Sequence, residues 1–163
     1  MDDILAPVSL PDADRKLVCD FLVVFSRFES ALKHRNYFRE REENDGRFVI
    51  ERGRFARDIQ SQLATRLNSP EARRPIQYLL EHPPMEQVAS GNTLTWERVP
   101  PHGPRRIDAR FLMDAIYRVR NNLFHGGKWP HDPARDPHLL QATLAAIENF
   151  LECHSEVANA YFH

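Results

Sequence analysis

The stretch IDARFLMDAIYRVRNNLFHGG, residues 107–127, carries a helical pattern on two of its sides and closes on an arginine, two amides, a histidine and two glycines. At about 100° per residue, Phe111, Leu112, Ala115, Ile116, Val119 and Leu123 share one broad sector, the face such a helix turns toward a core. A second stripe, Met113, Tyr117, Arg120 and Phe124, runs beside Asn121 and His125, which lie one turn apart. Gly126 and Gly127 mark the end of a helix over 107–125. A helix apolar on two sides either touches two neighbours in its own bundle or joins a second subunit. The strip has the composition of interface anchors, so Met113, Tyr117 and Phe124 are the expected contacts of a homodimer. A two-fold axis there would gather two copies of Arg120 and His125 around one groove.

Outward from this helix, the same periodicity recurs. From Asp12 to about Arg35, apolar residues at 17, 18, 21, 22, 25, 28 and 32 give a helix with one buried face, started by Pro11 and Asp12. After the polar segment NYFREREENDGRF, the four-residue spacing of Phe55, Ile59, Leu63 and Leu67 predicts a second helix over 50–68. Ser69 is a natural N-cap with Pro70 at the first helical position, and a short third helix ends at His82-Pro83-Pro84. Five of the twelve prolines fall in 83–106, a long loop in which Val88 and Thr93-Leu94-Thr95-Trp96 flank Gly91-Asn92 and can form a small hairpin. A fifth helix over 135–161 follows, with Leu140, Leu144, Ile147, Leu151, Ala158 and Tyr161. The expected fold is an all-α, up-and-down bundle of four to five helices with one proline-rich loop, in a single domain over 1–163.

Composition bounds the function classes. With 163 residues, 42% hydrophobic, 28% charged and a formal charge of −1, the chain reads as a soluble globular domain without a global basic excess. The acidic, proline-broken start MDDILAPVSLPDADRK does not fit a signal peptide, and the apolar run FLVVF is too short to span a bilayer. A cytoplasmic protein without membrane contact is expected. Cys19 and Cys153 stand alone in helical patterns, as buried thiols rather than a disulfide or zinc site. His125, His131 and His138 match no familiar ligand spacing, so no metal and no cofactor are expected. Neither a P-loop nor G-x-G-x-x-G nor G-x-S-x-G is present, which leaves nucleotide hydrolysis and serine esterase chemistry without an anchor.

The residue types at the end of the 107–125 helix suit phosphodiester chemistry. In the last turn the helix end favours an imidazolium by about 0.3–1 kcal/mol, so His125 can donate or accept a proton near neutrality. Arg120 offers a planar fork of donors matched to phosphate, and Asn121 can hydrogen-bond the His125 ring and orient it. In one ideal helix the arginine and histidine point roughly 140° apart. Convergence on one phosphate then needs a distorted last turn or residues from two subunits. The plainer alternative is that Arg120 pairs with a carboxylate and His125 caps the helix.

The string RNNLFHGGK at 120–128 resembles the R-x4-H motif of HEPN domains, all-α RNA-processing and toxin modules. FSRFESALK at 25–33 is similar to the first-helix motif of one HEPN branch, and the two strings bracket most of the chain. The resemblance implies a helical bundle, a homodimer with a composite site, and metal-independent cleavage of RNA. There the 2′-hydroxyl attacks the adjacent phosphate and leaves a 2′,3′-cyclic phosphate, with Arg120 and His125 as the residues carried over and Asn121 beside them. A toxin or defence effector with an antitoxin or other operon partner is the implied setting. In toxin members regulated by nucleotide transfer a tyrosine follows the histidine by two positions; here that position is Gly127, which counts against a nucleotidyltransferase antitoxin. Some HEPN relatives are inactive and serve as RNA-binding or protein-interaction modules, the alternative function.

Local charge agrees with an RNA-facing surface. Between 105 and 128, Arg105, Arg106, Arg110, Arg118, Arg120 and Lys128 stand against Asp108 and Asp114, six positive charges to two negative. Arg110, Arg118 and Lys128 are the expected RNA contacts, with a solvated, salt-bridged face as the alternative. Glu29, beside Phe28, can reach Arg120 and orient it.

Overall fold

The computed structural model describes residues 12–41, 46–103, 107–124 and 136–163. Helix α1, Asp12–His34, buries Phe21, Phe25, Phe28, Ala31 and Leu32 along one side. Its end is closed by Asn36 at φ 61°, a left-handed conformation that asparagine tolerates better than most residues. The Tyr37 amide then returns to the Leu32 carbonyl at 2.9 Å and the Asn36 amide to Lys33 at 3.0 Å, the paired bonds of a Schellman end. This turn drives Tyr37 into the core. A short antiparallel hairpin follows, β1 (Phe38–Glu40) against β2 (Phe48–Ile50), with Arg39 opposite Val49. It begins in the segment that the sequence marks only as polar.

Helix α2, Arg52–Arg66, buries Phe55, Ala56, Ile59 and Leu63 as its spacing requires. The third predicted helix is broken in two. Ser69 caps α3, Pro70–Arg73, by accepting from the Glu71 amide at 3.3 Å. A 3-10 turn over Arg74–Ile76 then leads to α4, Gln77–Glu81. Pro75 is the cause: it has no N–H for a helical bond and crowds the turn before it. The expected hairpin is present as β3 (Glu86–Ser90) and β4 (Thr93–Glu97), joined through Gly91-Asn92 with Gly91 at φ 60°.

Helix α5, Ala109–Phe124, begins where the Asp108 carboxylate accepts from the Arg110 amide at 2.8 Å. The last predicted helix is two helices, α6 (Asp136–Glu152) and α7 (Ser155–Phe162). His154 separates them, its Nδ1 accepting from the Val157 amide at 3.3 Å. The described residues are mostly helical with two small antiparallel hairpins, not the expected all-α bundle of four to five helices. α1 packs on α6 and α7, and α5 lies against both α2 and α6. Cys153 is half-buried, and burial pushes its thiol pKa up. Cys19 is exposed, contrary to the expected buried thiol, because its position on α1 lies off the apolar face. Among the described residues no helix is long and apolar enough to cross a membrane.

A polar network pins α7 to the rest. The Tyr37 hydroxyl donates to Asp58 Oδ2 at 2.9 Å and lies 2.8 Å from His154 Nε2. Because His154 Nδ1 already accepts from Val157, a neutral ring carries its hydrogen on Nε2 and donates it to Tyr37. Burial, with the Asp58 hydrogen bond behind it, pushes the Tyr37 phenol up to about 12. A folded-state value above the unfolded one of about 10 gives stability that is complete below pH 10 and is lost as pH rises toward 12. Urea titrations at pH 9 and pH 11.5 are expected to differ by roughly 2 kcal/mol more in the wild type than in Tyr37→Phe. Equal pH dependence in the two proteins would show that the phenol is not held this way.

Candidate functional site

The end of α5 is built from tertiary contacts that give its polar residues separate tasks. Arg120 is half-buried, and its Nη1 donates to Asn121 Oδ1 at 3.0 Å. Asn122 Nδ2 donates to the Met85 carbonyl at 3.0 Å, tying the start of the β3–β4 hairpin to the last turns of the helix. Arg118 makes a second tie to that hairpin through Glu86, at 3.3 Å. The two amides of RNNLFHGG thus hold the arginine and anchor the neighbouring strand. Asn121, expected to orient His125, is the partner of Arg120. His125, Gly126, Gly127 and Lys128 lie outside the described residues.

The two motif strings meet. Arg120 Cζ lies 6.0 Å from the centroid of the Phe25 ring on α1. Tyr117 packs edge-on against the same phenylalanine, with centroids 5.2 Å apart at 79°. On the other side of Tyr117 stands Arg52, the first residue of α2, with Cζ 4.8 Å from the ring centroid. Arg52 in turn pairs with Asp114 at 3.2 Å. Two packed rings therefore each carry an arginine, Arg52 of α2 at Tyr117 and Arg120 of α5 at Phe25 of α1. The Tyr117 phenol has a pKa raised by burial and by the nearby Glu29 carboxylate, with Arg52 and Arg120 opposing. That proton stays on the oxygen throughout the neutral range.

Two sets of expected residues are placed differently. Met113 is fully buried inside its own chain, so it is not a dimer contact. Tyr117 is half-buried among Phe25 and Arg52 of the same chain. The reason is that α5 lies between α2 and α6, so both apolar sides are used within one fold. The side chain of Phe124 falls outside the described residues. Arg110 pairs with Asp114 at 2.8 Å and Arg118 with Glu86, so an RNA phosphate at either position competes with a carboxylate already in place. The local balance itself is unchanged, since Asp114 is already in the count and the two further partners, Glu86 and Arg52, cancel in charge. Arg52 is the residue that sequence reading missed: it stands at a helix start with no periodic or motif signal, and only packing brings it beside Tyr117.

Among the described residues no group of three or more His, Cys, Asp or Glu side chains could hold a metal ion. No family model, curated protein or solved structure matches the chain.

Proposed function

We propose that the chain is a metal-independent endoribonuclease acting as a homodimer, with Arg120 and His125 from two protomers sharing one scissile phosphate. The observation that supports this is the meeting of the two HEPN-like strings, in which the arginine of RNNLFHGGK lies over the first phenylalanine of FSRFESALK. In the proposed reaction the RNA 2′-oxygen attacks the adjacent phosphorus and the bond to the 5′-oxygen breaks. The 2′-hydroxyl gives up its proton to a base, and the departing 5′-oxygen takes one up. His125 moves protons, while Arg120 holds the non-bridging oxygens with its fork of donors. No redox partner or metal is needed for the atoms to balance.

The second reading is an inactive module that binds RNA or protein, and the ion pairs of Arg110 and Arg118, which occupy two expected RNA contacts, favour its protein-binding form. Incubation of purified protein with RNA in excess EDTA separates the two. The enzyme is expected to leave fragments ending in 2′,3′-cyclic phosphate and beginning with 5′-hydroxyl. RNA that is retained but uncut overturns the enzyme reading in favour of the module.

A further inference from the structure

The Tyr117 hydroxyl is buried and has no hydrogen-bond partner among the described residues. Such a group finds no partner among these residues, an arrangement uncommon in folded proteins. Its surroundings restrict what that partner can be. Arg52 lies over the ring, and Arg120 lies beyond the Phe25 ring that Tyr117 abuts. Guanidinium groups only donate, so neither arginine can accept from the phenol. The phenol keeps its proton, because burial and Glu29 both oppose ionisation. A donor flanked by Arg52 and Arg120, with the Glu29 carboxylate nearby but not bonded to it, still lacks an acceptor oxygen, which a phosphate can supply. Arg52 has its side chain 36% exposed and is held by Asp114 at 3.2 Å, so an incoming anion meets this cation by competing with that carboxylate.

We infer that Tyr117 and Arg52 form a second phosphate subsite beside Arg120, which takes the phosphodiester next to the one that is cut. This rests on the ribonuclease reading and deepens it. The strand would then be held at two successive phosphates by two arginines on different helices, with the phenol giving the second phosphate a directed hydrogen bond. Arg120 alone, as a single clamp, fixes a phosphate but not the path of the chain leading to it.

Binding of a 2′-O-methyl RNA oligonucleotide, which cannot be cleaved by this route, tests the subsite. Fluorescence anisotropy over a range of salt concentrations gives both affinity and its salt slope. Tyr117→Phe is expected to bind about tenfold more weakly, the scale of one hydrogen bond to a charged group. Its melting temperature should equal or exceed that of the wild type, since the unpaired hydroxyl is gone. Arg52→Gln is expected to reduce the slope of log affinity against log salt by about 0.7, the loss of one single-strand phosphate contact, and Arg52→Lys to restore it. If Arg120→Ala weakens binding while Tyr117→Phe and Arg52→Gln match the wild type, the subsite is overturned and the ribonuclease reading stands. A Tyr117→Phe protein that melts lower than the wild type overturns the donor role, because the hydroxyl then serves an internal bond. Wild-type protein that binds no RNA overturns both.

Discussion

His125→Ala is expected to lower the single-turnover rate of RNA cleavage by about 10²–10⁴-fold while RNA affinity stays nearly unchanged. Proton transfer is expressed in the transition state, so its loss falls on turnover and spares ground-state binding. Arg120→Ala should behave differently. A phosphate clamp acts on bound RNA and on the transition state alike, so affinity and turnover fall together, and Arg120→Lys restores only part because a point charge cannot reproduce a fork. A shared site adds a further test through subunit exchange. In a mixed dimer of the two single variants, one site can still draw its arginine from one protomer and its histidine from the other. Some recovery of activity is then expected, and none if each protomer holds a complete site. Wild-type cleavage by both single variants, with circular dichroism unchanged, would mean that RNNLFHGG is only a helix terminus.

The elements legible in the sequence are those whose side chains answer to a period. α1, α2 and α5 each carry apolar residues at three- and four-residue spacing, and each forms within a few residues of its expected bounds. Gly91-Asn92 signals its hairpin through the conformational freedom of glycine. What escapes is set by tertiary contact. The β1–β2 hairpin has strands of only three residues, Phe38–Glu40 and Phe48–Ile50, too short for an alternation to show even though Phe48, Val49 and Ile50 favour strands, and it is placed by the turn at Asn36 that draws Tyr37 inward. The break between α6 and α7 depends on a histidine ring standing in for the usual capping oxygen, a role the residue type does not advertise.

The candidate site divides along the same line. Arg120 and the two asparagines are conspicuous as polar groups ending an apolar helix, yet their tasks are fixed by Phe25 and Met85, distant in sequence. Met113 shows the opposite failure. Its angular position off the main apolar sector suggested a surface strip, but a helix flanked by α2 and α6 has little surface to give, and the residue went to the core. A helical wheel shows which residues share a side; it does not show how many sides are covered.

Phe55→Ala is expected to cost about 3–5 kcal/mol of folding free energy, a large share of the roughly 5–15 kcal/mol that holds a domain together. Phe55 is fully buried and is the hub of the aromatic core. Its ring lies 5.7 Å from Phe28 of α1, 5.8 Å from Phe150 of α6 and 5.2 Å from Tyr37, with the His154 ring stacked at 5.8 Å and 30°. Truncation removes apolar area and leaves a void bordered by aromatic rings, which fill space poorly by small shifts because each is rigid. Phe55→Leu keeps most of the volume and should cost less than about 1.5 kcal/mol beyond the lost ring contacts. Since Phe55 also backs the Tyr37–His154 pair, the alanine variant should lose part of the alkaline fall in stability that Tyr37 causes, which a void elsewhere in the core would not change. Leu94→Ala, at a position 67% exposed on β4, provides the control and should stay within about 0.5 kcal/mol of the wild type. Urea midpoints at constant m value measure all three; a Phe55→Ala loss no larger than that of Leu94→Ala would mean that these rings do not meet as described.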